Sequence, residues 1–238
     1  VFGDVVHAKG VCDYAVKVTV DHILWLGHAV VKLRSDGEPA IKALLGKVAD
    51  QLKGHNVRVV PDTTPVGDSQ AGGLQESAAH MVKNKARALW SYACRMHGMK
   101  PDAKHEIWPW CIQYAGQLIT RTLVGADGKT PWRRLTGRLQ FPRALQPWAE
   151  KVHYIQGGGK MKPQSPAPKW SEGIYLRLID RTGEYVIGTP TGCVKRCQEF
   201  QCETDDAGRG VRSGAAELGQ VYPMADVGLS RVGRRSCQ

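Results

Sequence analysis

The stretch Val30–Arg87 decides the fold: VVKLRSDGEPAIKALLGKVADQLKGHNVRVVPDTTPVGDSQAGGLQESAAHMVKNKAR. Its first β-branched run predicts a strand of a parallel sheet that ends at Asp36. Pro39 then begins an apolar stripe at helical spacing, and Val57–Val60 predicts a second strand. A Gly-rich loop precedes another helix, which has Glu76 close to its start. This order of strand, helix, strand and helix predicts an α/β layer with two carboxylates at the ends of regular elements.

Apolar spacing also predicts the elements on either side of this stretch. Residues Val1–Ala8 alternate enough to predict a short strand, and a helix follows with Asp13 as its N-cap and Gly27 as its stop. Downstream, Trp108–Leu123 is predicted as a helix, and Thr130 begins a short basic helix, TPWRRLTGR. Strands and helices therefore alternate through residue 60.

The pattern changes after Pro147. The runs KVHYIQ, GIYLRLID, EYVIGTP and CVKRCQEFQ are short, aromatic and β-branched, with Gly, Pro and charged residues between them. Strands at this spacing predict a small β-barrel. The segment QGGGKMKPQSPAP predicts a flexible loop, and the residues beyond Glu203 predict a disordered basic tail, because their periodicity vanishes while Gly, Arg, Ser and Asp become frequent.

Composition narrows the classes of function. The 238 residues include 33 Lys and Arg against 22 Asp and Glu, and the net charge of +11 favours a polyanionic partner or a membrane surface. No apolar run approaches the roughly 18 residues of a membrane span, and nothing in the sequence predicts secretion. The seven scattered Cys predict free thiols in a reducing, intracellular compartment, with Cys193, Cys197 and Cys202 as at most a weak zinc candidate.

The helix that follows the Gly-rich loop, from about Gln75 to Met96, has two different faces. Its predicted buried stripe consists of Val82, Ala86, Leu89 and Ala93. Its polar face consists of Glu76, His80, Lys83 and Arg87. One face is therefore expected to pack, while the other offers a carboxylate followed by positive charge.

Asp36 and Glu76 carry the candidate chemistry. Hard cations such as Mg²⁺ prefer carboxylate oxygens, and two ions about 3.5–4 Å apart serve phosphodiester chemistry when acids from different elements converge. The alternative stays open for each residue taken alone. An Asp before a Gly at a strand end is commonly a turn residue, and a Glu at a helix start is favoured by the helix dipole.

The residues around these acids resemble those of a known family. RSDGEPAI followed by GDSQAGGLQE resembles the integrase core of retroviruses and long-terminal-repeat retrotransposons, in which an Asp at a strand end precedes a Glu at a helix start. LVGADGKTPWRRLTGR resembles the segment after the core in copia-type elements, and KWSEGIYLRLIDRTGEYVIGTPTGCVKRCQEF resembles the small β-rich piece after it. The resemblance covers roughly residues 1 to 203, and the order of the motifs is more specific than any one of them.

This resemblance implies a ribonuclease-H-like integrase core, without its first strands, at residues 1–125. It further implies a linker helix region at 126–148 and a small SH3-like β-domain at 149–203, before the disordered basic tail at 204–238. It makes this chain an N-terminally truncated relative of copia-like integrases.

The resemblance also implies roles for single residues. Asp36 becomes the second acid and Glu76 the third acid of the D,D-E triad, and both become ligands of Mg²⁺ or Mn²⁺. The first acid is expected to lie outside this chain, so that the two-metal site is expected to be incomplete and strand transfer by this chain alone is not expected. Two departures from the family pattern are Gly72, where Asn is usual, and a longer interval between the two acids.

Basic side chains are the predicted DNA contacts. The resemblance places His80 and Lys83 on the helix face that contacts the DNA ends in this family. The other predicted contacts are Arg87, Arg133 and Arg134, and further basic groups contain Lys85, Arg138, Lys160, Lys162 and Lys169, with Trp132 and Trp170 as aromatic neighbours. Contacts of this kind to phosphates are sequence-tolerant and salt-sensitive. A solvated basic surface is the alternative interpretation.

Three functions stay open at this point. The first is DNA integration, by 3′-end processing and strand transfer, in the nucleus and by a homo-oligomer on element ends and target DNA. The second is a catalytically dead nucleic-acid-binding remnant of a transposable element. The third is a protein-interaction module that uses the core as a scaffold.

Overall fold

The alternation of strands and helices predicted from the sequence is present in the structure. The computed structural model describes residues 1–35, 37–63, 73–100, 102, 104–138, 141, 143–155, 170–190, 194–197 and 200–202. The helices are α1 (Asp13–Leu26), α2 (Pro39–Lys53), α3 (Gly73–His97), α4 (Trp108–Thr122) and α5 (Pro131–Thr136). The strands are β1 (Val30–Ser35), β2 (Arg58–Thr63), β3 (Lys151–Ile155), β4 (Trp170–Ile179), β5 (Glu184–Gly188), β6 (Val194–Cys197) and β7 (Phe200–Cys202). The chain is a mixed α/β protein, as expected.

Strands β1 and β2 form a parallel pair that α2 connects. Their register runs from Val30 opposite Arg58 to Ser35 opposite Thr63, so both strands end at the same edge. The inner face of the pair packs against α1 and α2, where Val48 and Leu52 are fully buried. Pro39 fits the first turn of α2 because the N–H that it lacks would have no partner inside the helix.

The outer face of this two-stranded sheet differs from the prediction of a strand buried within a parallel sheet. Val30 is 59% exposed, and exposed residues alternate with half-buried ones along β1. Helices cover one side of the pair, and on the other side the described residues leave Val30 and Val60 open to solvent. The alternation of apolar and basic residues in Val30–Ser35 is the sequence signal for this one-sided burial.

The second hydrophobic cluster joins α3 and α4 to the antiparallel sheet. Within the described residues this sheet has five strands in the order β6-β5-β4-β3-β7, so that β4 lies at its centre. The cluster contains buried residues from both layers, among them Trp90, Cys111, Ile119, Tyr175 and Ile187. The strands predicted after Pro147 are therefore confirmed, and α3 and α4 share their core. The boundaries placed at residues 125, 148 and 203 stay a prediction.

The prediction of a strand at Val1–Ala8 is wrong. The segment has no strand partner; it lies along α4, where a Cβ on Gly3 would come 2.9 Å from the carbonyl oxygen of Ile112. Asp4 Oδ1 accepts a hydrogen bond from Gln113 Nε2 at 3.0 Å, and Asp4 Oδ2 lies 2.6 Å from His22 Nε2. This extended segment is thus held by side chains of α1 and α4, and not by pairing with a neighbouring strand.

Two smaller expectations also need correction. Asp13 lies in the first turn of α1, whereas Cys12 is the N-cap and its Sγ accepts a hydrogen bond from Ala15 N at 3.4 Å. Trp132, which the sequence links to a basic group, is a core residue with only 5% of its surface exposed. The predicted loop at 156–168 and the predicted tail at 204–238 lie outside the described residues.

Candidate metal and nucleic-acid site

In the sequence the two predicted acids lie on either side of α2 and β2: Asp36 follows β1, and Glu76 is in the helix after β2. β1 ends at Ser35, directly before Asp36, and Asp36 itself lies outside the described residues. Gly37 follows with a positive φ of 80°, a backbone conformation that glycine adopts without strain. Glu76 is in the first turn of α3, and the Gly-rich loop from 64 to 72 that leads to it also lies outside the described residues.

Glu76 has a carboxylate suited to binding a cation. The side chain is exposed, and it makes no hydrogen bond or ion pair with any residue in the described ranges. Carboxylate oxygens are the donors that Mg²⁺ and Mn²⁺ prefer. No group of three or more His, Cys, Asp and Glu within those ranges is arranged to hold a metal ion. The donor type fits such an ion, with Asp36 as the second ligand that the sequence predicts.

Helix α3 presents the predicted basic face to solvent. Its buried residues include Val82, Ala86 and Ala93, which confirms three of the four positions of the predicted stripe, and Trp90 is buried where Leu89 is only partly so. The polar positions on the other side are all exposed: Glu76, His80, Lys83 and Arg87. Of these four side chains, only Arg87 donates a hydrogen bond to another described residue: its Nη1 lies 3.5 Å from Asn84 Oδ1, which is a long distance for such a bond.

The two arginines predicted on α5 have different surroundings. Arg133 is half-buried. Arg134 is exposed and forms a two-pronged contact with Asp127, with Nε donating to Oδ2 at 3.0 Å and Nη2 to Oδ1 at 2.5 Å. These bonds hold the pKa of Asp127 well below its usual range. Asp127 therefore already compensates part of the charge of Arg134. The DNA contact expected of both arginines stays a prediction.

A further basic group on the outer face of the two-stranded sheet was not singled out from the sequence. Lys32 Nζ lies 3.1 Å and Arg34 Nε 2.7 Å from the same oxygen of Asp62, and the neighbouring Arg58 is exposed. Hydrogen bonds from Arg34 and then Lys32 lower the pKa of Asp62. The alternation Val30, Lys32, Arg34 was the available signal, because alternate residues of a strand share a face.

The remaining sequence-predicted basic residues are either exposed or outside the described ranges. Lys85 and Arg138 are exposed, while Lys160, Lys162 and Lys169 lie outside the described residues, as does Cys193 of the weak zinc candidate. No helix in the described part of the chain combines the length and the apolar composition needed to cross a membrane.

Comparison with known proteins gives distant similarity to solved structures and no closer match in sequence. No family model matches the sequence, and no curated protein matches it. A chain in the cryo-EM structure of the simian T-cell lymphotropic virus intasome in complex with PP2A regulatory subunit B56 gamma is similar over 83% of this chain, with 15% identity and a TM-score of 0.38. This chain spans 64% of the length of that chain. The class that the described residues define is a mixed α/β protein with a parallel βαβ unit and an antiparallel sheet.

Proposed function

We propose that this chain is part of a DNA-binding protein of the retroviral-type integrase class, with a ribonuclease-H-like core and a small SH3-like β-domain. The observation that supports the proposal is the order β1, α2, β2, α3, with a parallel strand pair. In this order the first strand ends directly before Asp36, and Glu76 follows on the exposed first turn of α3. The motifs RSDGEPAI and GDSQAGGLQE, which resemble the integrase core, contain these two acids.

The exposed face of α3 is the part of the proposal that the chain's own residues can perform. Glu76 and Arg87 are 11 residues apart, which corresponds to about 16 Å along a helix. That length matches about five steps of one DNA strand. His80, Lys83 and Arg87 then contact phosphates along this length, and Glu76 lies at the end where the face begins.

Asp36 and Glu76 would hold Mg²⁺ or Mn²⁺ in this proposal. Such ions, when bound, supply activation of the attacking oxygen and stabilisation of the leaving oxygen in phosphodiester chemistry. In the parent protein this would be 3′-end processing and strand transfer in the nucleus, on element ends and target DNA and within a homo-oligomer.

A non-catalytic DNA-binding remnant of a retrotransposon is the second candidate. The observation that favours it is the α3 face itself, since Lys83 and Arg87 are exposed. Binding to phosphates needs no metal, so this candidate keeps the DNA contact and loses the chemistry. The two candidates therefore agree on DNA binding and differ on the ion.

DNA binding is tested by fluorescence anisotropy with a labelled duplex at a series of salt concentrations. The double variant Lys83→Ala, Arg87→Ala is expected to weaken binding at every salt concentration and to reduce the slope of log K against log salt by about 2, since each phosphate contact contributes about 0.9. The matched control is Lys17→Ala, Lys47→Ala, which removes two exposed lysines from α1 and α2. Equal slopes for the double variant and the wild type, or no binding at low salt, would contradict the proposal.

The ion is tested without turnover, by the thermal unfolding midpoint in Mg²⁺ or Mn²⁺. A ligand that binds only the folded state adds about 2.7 kcal/mol at 100 times its Kd. The wild type is expected to gain stability with ion concentration, whereas Glu76→Gln and Asp36→Asn are expected to lose most of this gain. Glu106→Gln, which changes another exposed Glu, is the control. A gain in Glu76→Gln as large as in the wild type removes Glu76 from the ion site and leaves the non-catalytic candidate.

A further inference from the structure

A cleft of about 300 Å³ lies where the end of α1, α5 and the residue after β4 meet. Its lining consists of Trp25, Leu26, Trp132, Leu135, Thr136, Arg138 and Asp180. Ligand pockets start at about this volume, which suits a single small ring system rather than a large ligand. The cleft contains neither of the predicted acids and none of the basic residues of the α3 face.

Two indoles form the apolar part of the cleft. The ring centroids of Trp25 and Trp132 are 6.1 Å apart, and the ring planes are inclined by 42°. Trp132 is buried, and its Nε1 has no hydrogen-bond partner among the described residues. Leu135 lines the same cleft and is 39% exposed. The walls therefore offer indole surface, chiefly that of the half-buried Trp25, and an open apolar side chain.

The polar part of the cleft has both signs of charge. Asp180 accepts hydrogen bonds from Arg121 Nη2 through Oδ1 and from Gln117 Nε2 through Oδ2, at 2.5 and 2.7 Å. A carboxylate oxygen accepts more than one hydrogen bond, so acceptor capacity remains on both oxygens. Arg138 is exposed and lines the cleft as a cation.

We propose that this cleft receives one unstacked nucleobase of a single-stranded nucleic acid. The base lies against the Trp25 ring and Leu135, Asp180 accepts an N–H from the base edge, and Arg138 contacts the neighbouring phosphate. Nucleobases of every kind have a π face and at least one N–H donor, so the site is tolerant of sequence. The proposal adds a single-strand subsite to the proposed DNA-binding function and rests on it. The net charge of +11 agrees with a polyanionic ligand over a neutral aromatic metabolite.

Three labelled probes of equal length test this subsite by fluorescence anisotropy with the full chain. They are a single strand, the same strand with abasic central positions, and the duplex. Leu135→Glu places a charged side chain in the cleft without removing a buried group, and Val124→Glu adds the same charge at a residue that is 61% exposed and outside the cleft lining. Trp25→Leu removes the ring and serves as the second cleft variant. Circular dichroism and the thermal midpoint report whether each variant is folded.

The wild type is expected to bind the single strand at least about fivefold more tightly than the abasic strand, because one stacked base contributes at least that much. Leu135→Glu and Trp25→Leu are expected to remove this difference between the two strands. Val124→Glu is expected to keep it, and duplex binding is expected to change by less than about twofold in all three variants.

Two results would overturn the subsite. One is a wild type that binds both strands equally; the other is a cleft variant that keeps the full difference between them. If the duplex is bound in either case, only the subsite fails. If the wild type binds none of the three probes, the proposed function fails and the subsite with it.

Discussion

Replacement of Arg121 by Met should be among the most damaging changes to the fold, because this cation is buried. Its side chain is 2% exposed, and Nη2 donates to Asp180 Oδ1 at 2.5 Å. Nη1 donates to the carbonyl oxygen of Arg143 at 2.6 Å. The guanidinium carbon lies 5.1 Å from the ring centroid of Trp132 and 4.8 Å from that of Phe141. One side chain thus connects α4, α5 and the end of β4.

The expected loss in the free energy of unfolding follows from the charge that the substitution leaves unpaired. Removal of one partner from a buried ion pair costs about 3–5 kcal/mol, because the remaining charge stays buried without compensation. Asp180 is 20% exposed, and Gln117 still donates to its other oxygen at 2.7 Å, so water and this amide take over part of the lost interaction. A loss of about 3 kcal/mol, the lower end of that range, is therefore expected. The double variant Arg121→Met, Asp180→Asn should recover part of it, since no uncompensated carboxylate remains.

Urea unfolding followed by tryptophan fluorescence measures this loss. With a slope of about 2–3 kcal/mol per molar urea, a loss of about 3 kcal/mol lowers the midpoint by roughly 1–1.5 M. Arg181→Met changes an exposed neighbour and is expected to alter stability by less than about 0.5 kcal/mol. A midpoint of Arg121→Met equal to that of Arg181→Met would refute the reasoning. A double variant less stable than the single variant would refute the role given to the stranded carboxylate.

Two further predictions concern a buried imidazole and a close backbone contact. Burial lowers the pKa of His97, whose Nε2 lies 2.9 Å from the Ala149 carbonyl oxygen; below about pH 6.5 the unfolded chain takes up a proton that the folded chain does not. Stability should therefore fall as the pH drops below about 6.5. In urea titrations at several pH values, His97→Gln should flatten this dependence, whereas the control His28→Gln, at an exposed site, should leave it unchanged. A Cβ on Gly173 would clash with the side chain of Ile187 on β5, so Gly173→Ala should lower the free energy of unfolding by about 1–3 kcal/mol. Gly46→Ala, in open space on α2, should gain about 0.5–1 kcal/mol, and equal thermal midpoints for the two alanine variants would contradict both assignments.

The helices and strands were predictable where local spacing alone determines them. The stripe Val82, Ala86, Ala93 of α3 is buried as expected, and the ends of α2 agree with Pro39 and the following apolar run. Each of these features depends on residues within one or two helical turns. The pattern of side chains along the chain then contains enough information to orient a helix.

The failures come from contacts between residues far apart in the chain. Val1–Ala8 alternates as a strand does, yet the contact that fixes it joins Asp4 to Gln113 across 109 residues. Trp132 lies among basic residues in the sequence, but Arg121 covers its ring in the folded chain. Neither arrangement leaves a local pattern, because alternation and basic neighbours are equally compatible with a docked segment or a buried ring.

Partner groups, rather than the number of basic residues, decide which part of the charge of +11 is available to a polyanion. Arg121 is buried with Asp180, Arg134 is bound by Asp127, and Lys32 and Arg34 share Asp62. A phosphate would have to compete with these carboxylates. On the described exposed face of α3, by contrast, Lys83 and Arg87 make no ion pair with any described acid. Contacts from unpaired cations carry the salt dependence of binding. The basic residues of α3 should therefore contribute more than those of α5 to the slope of log K against log salt, although the sequence predicted DNA contacts on both helices.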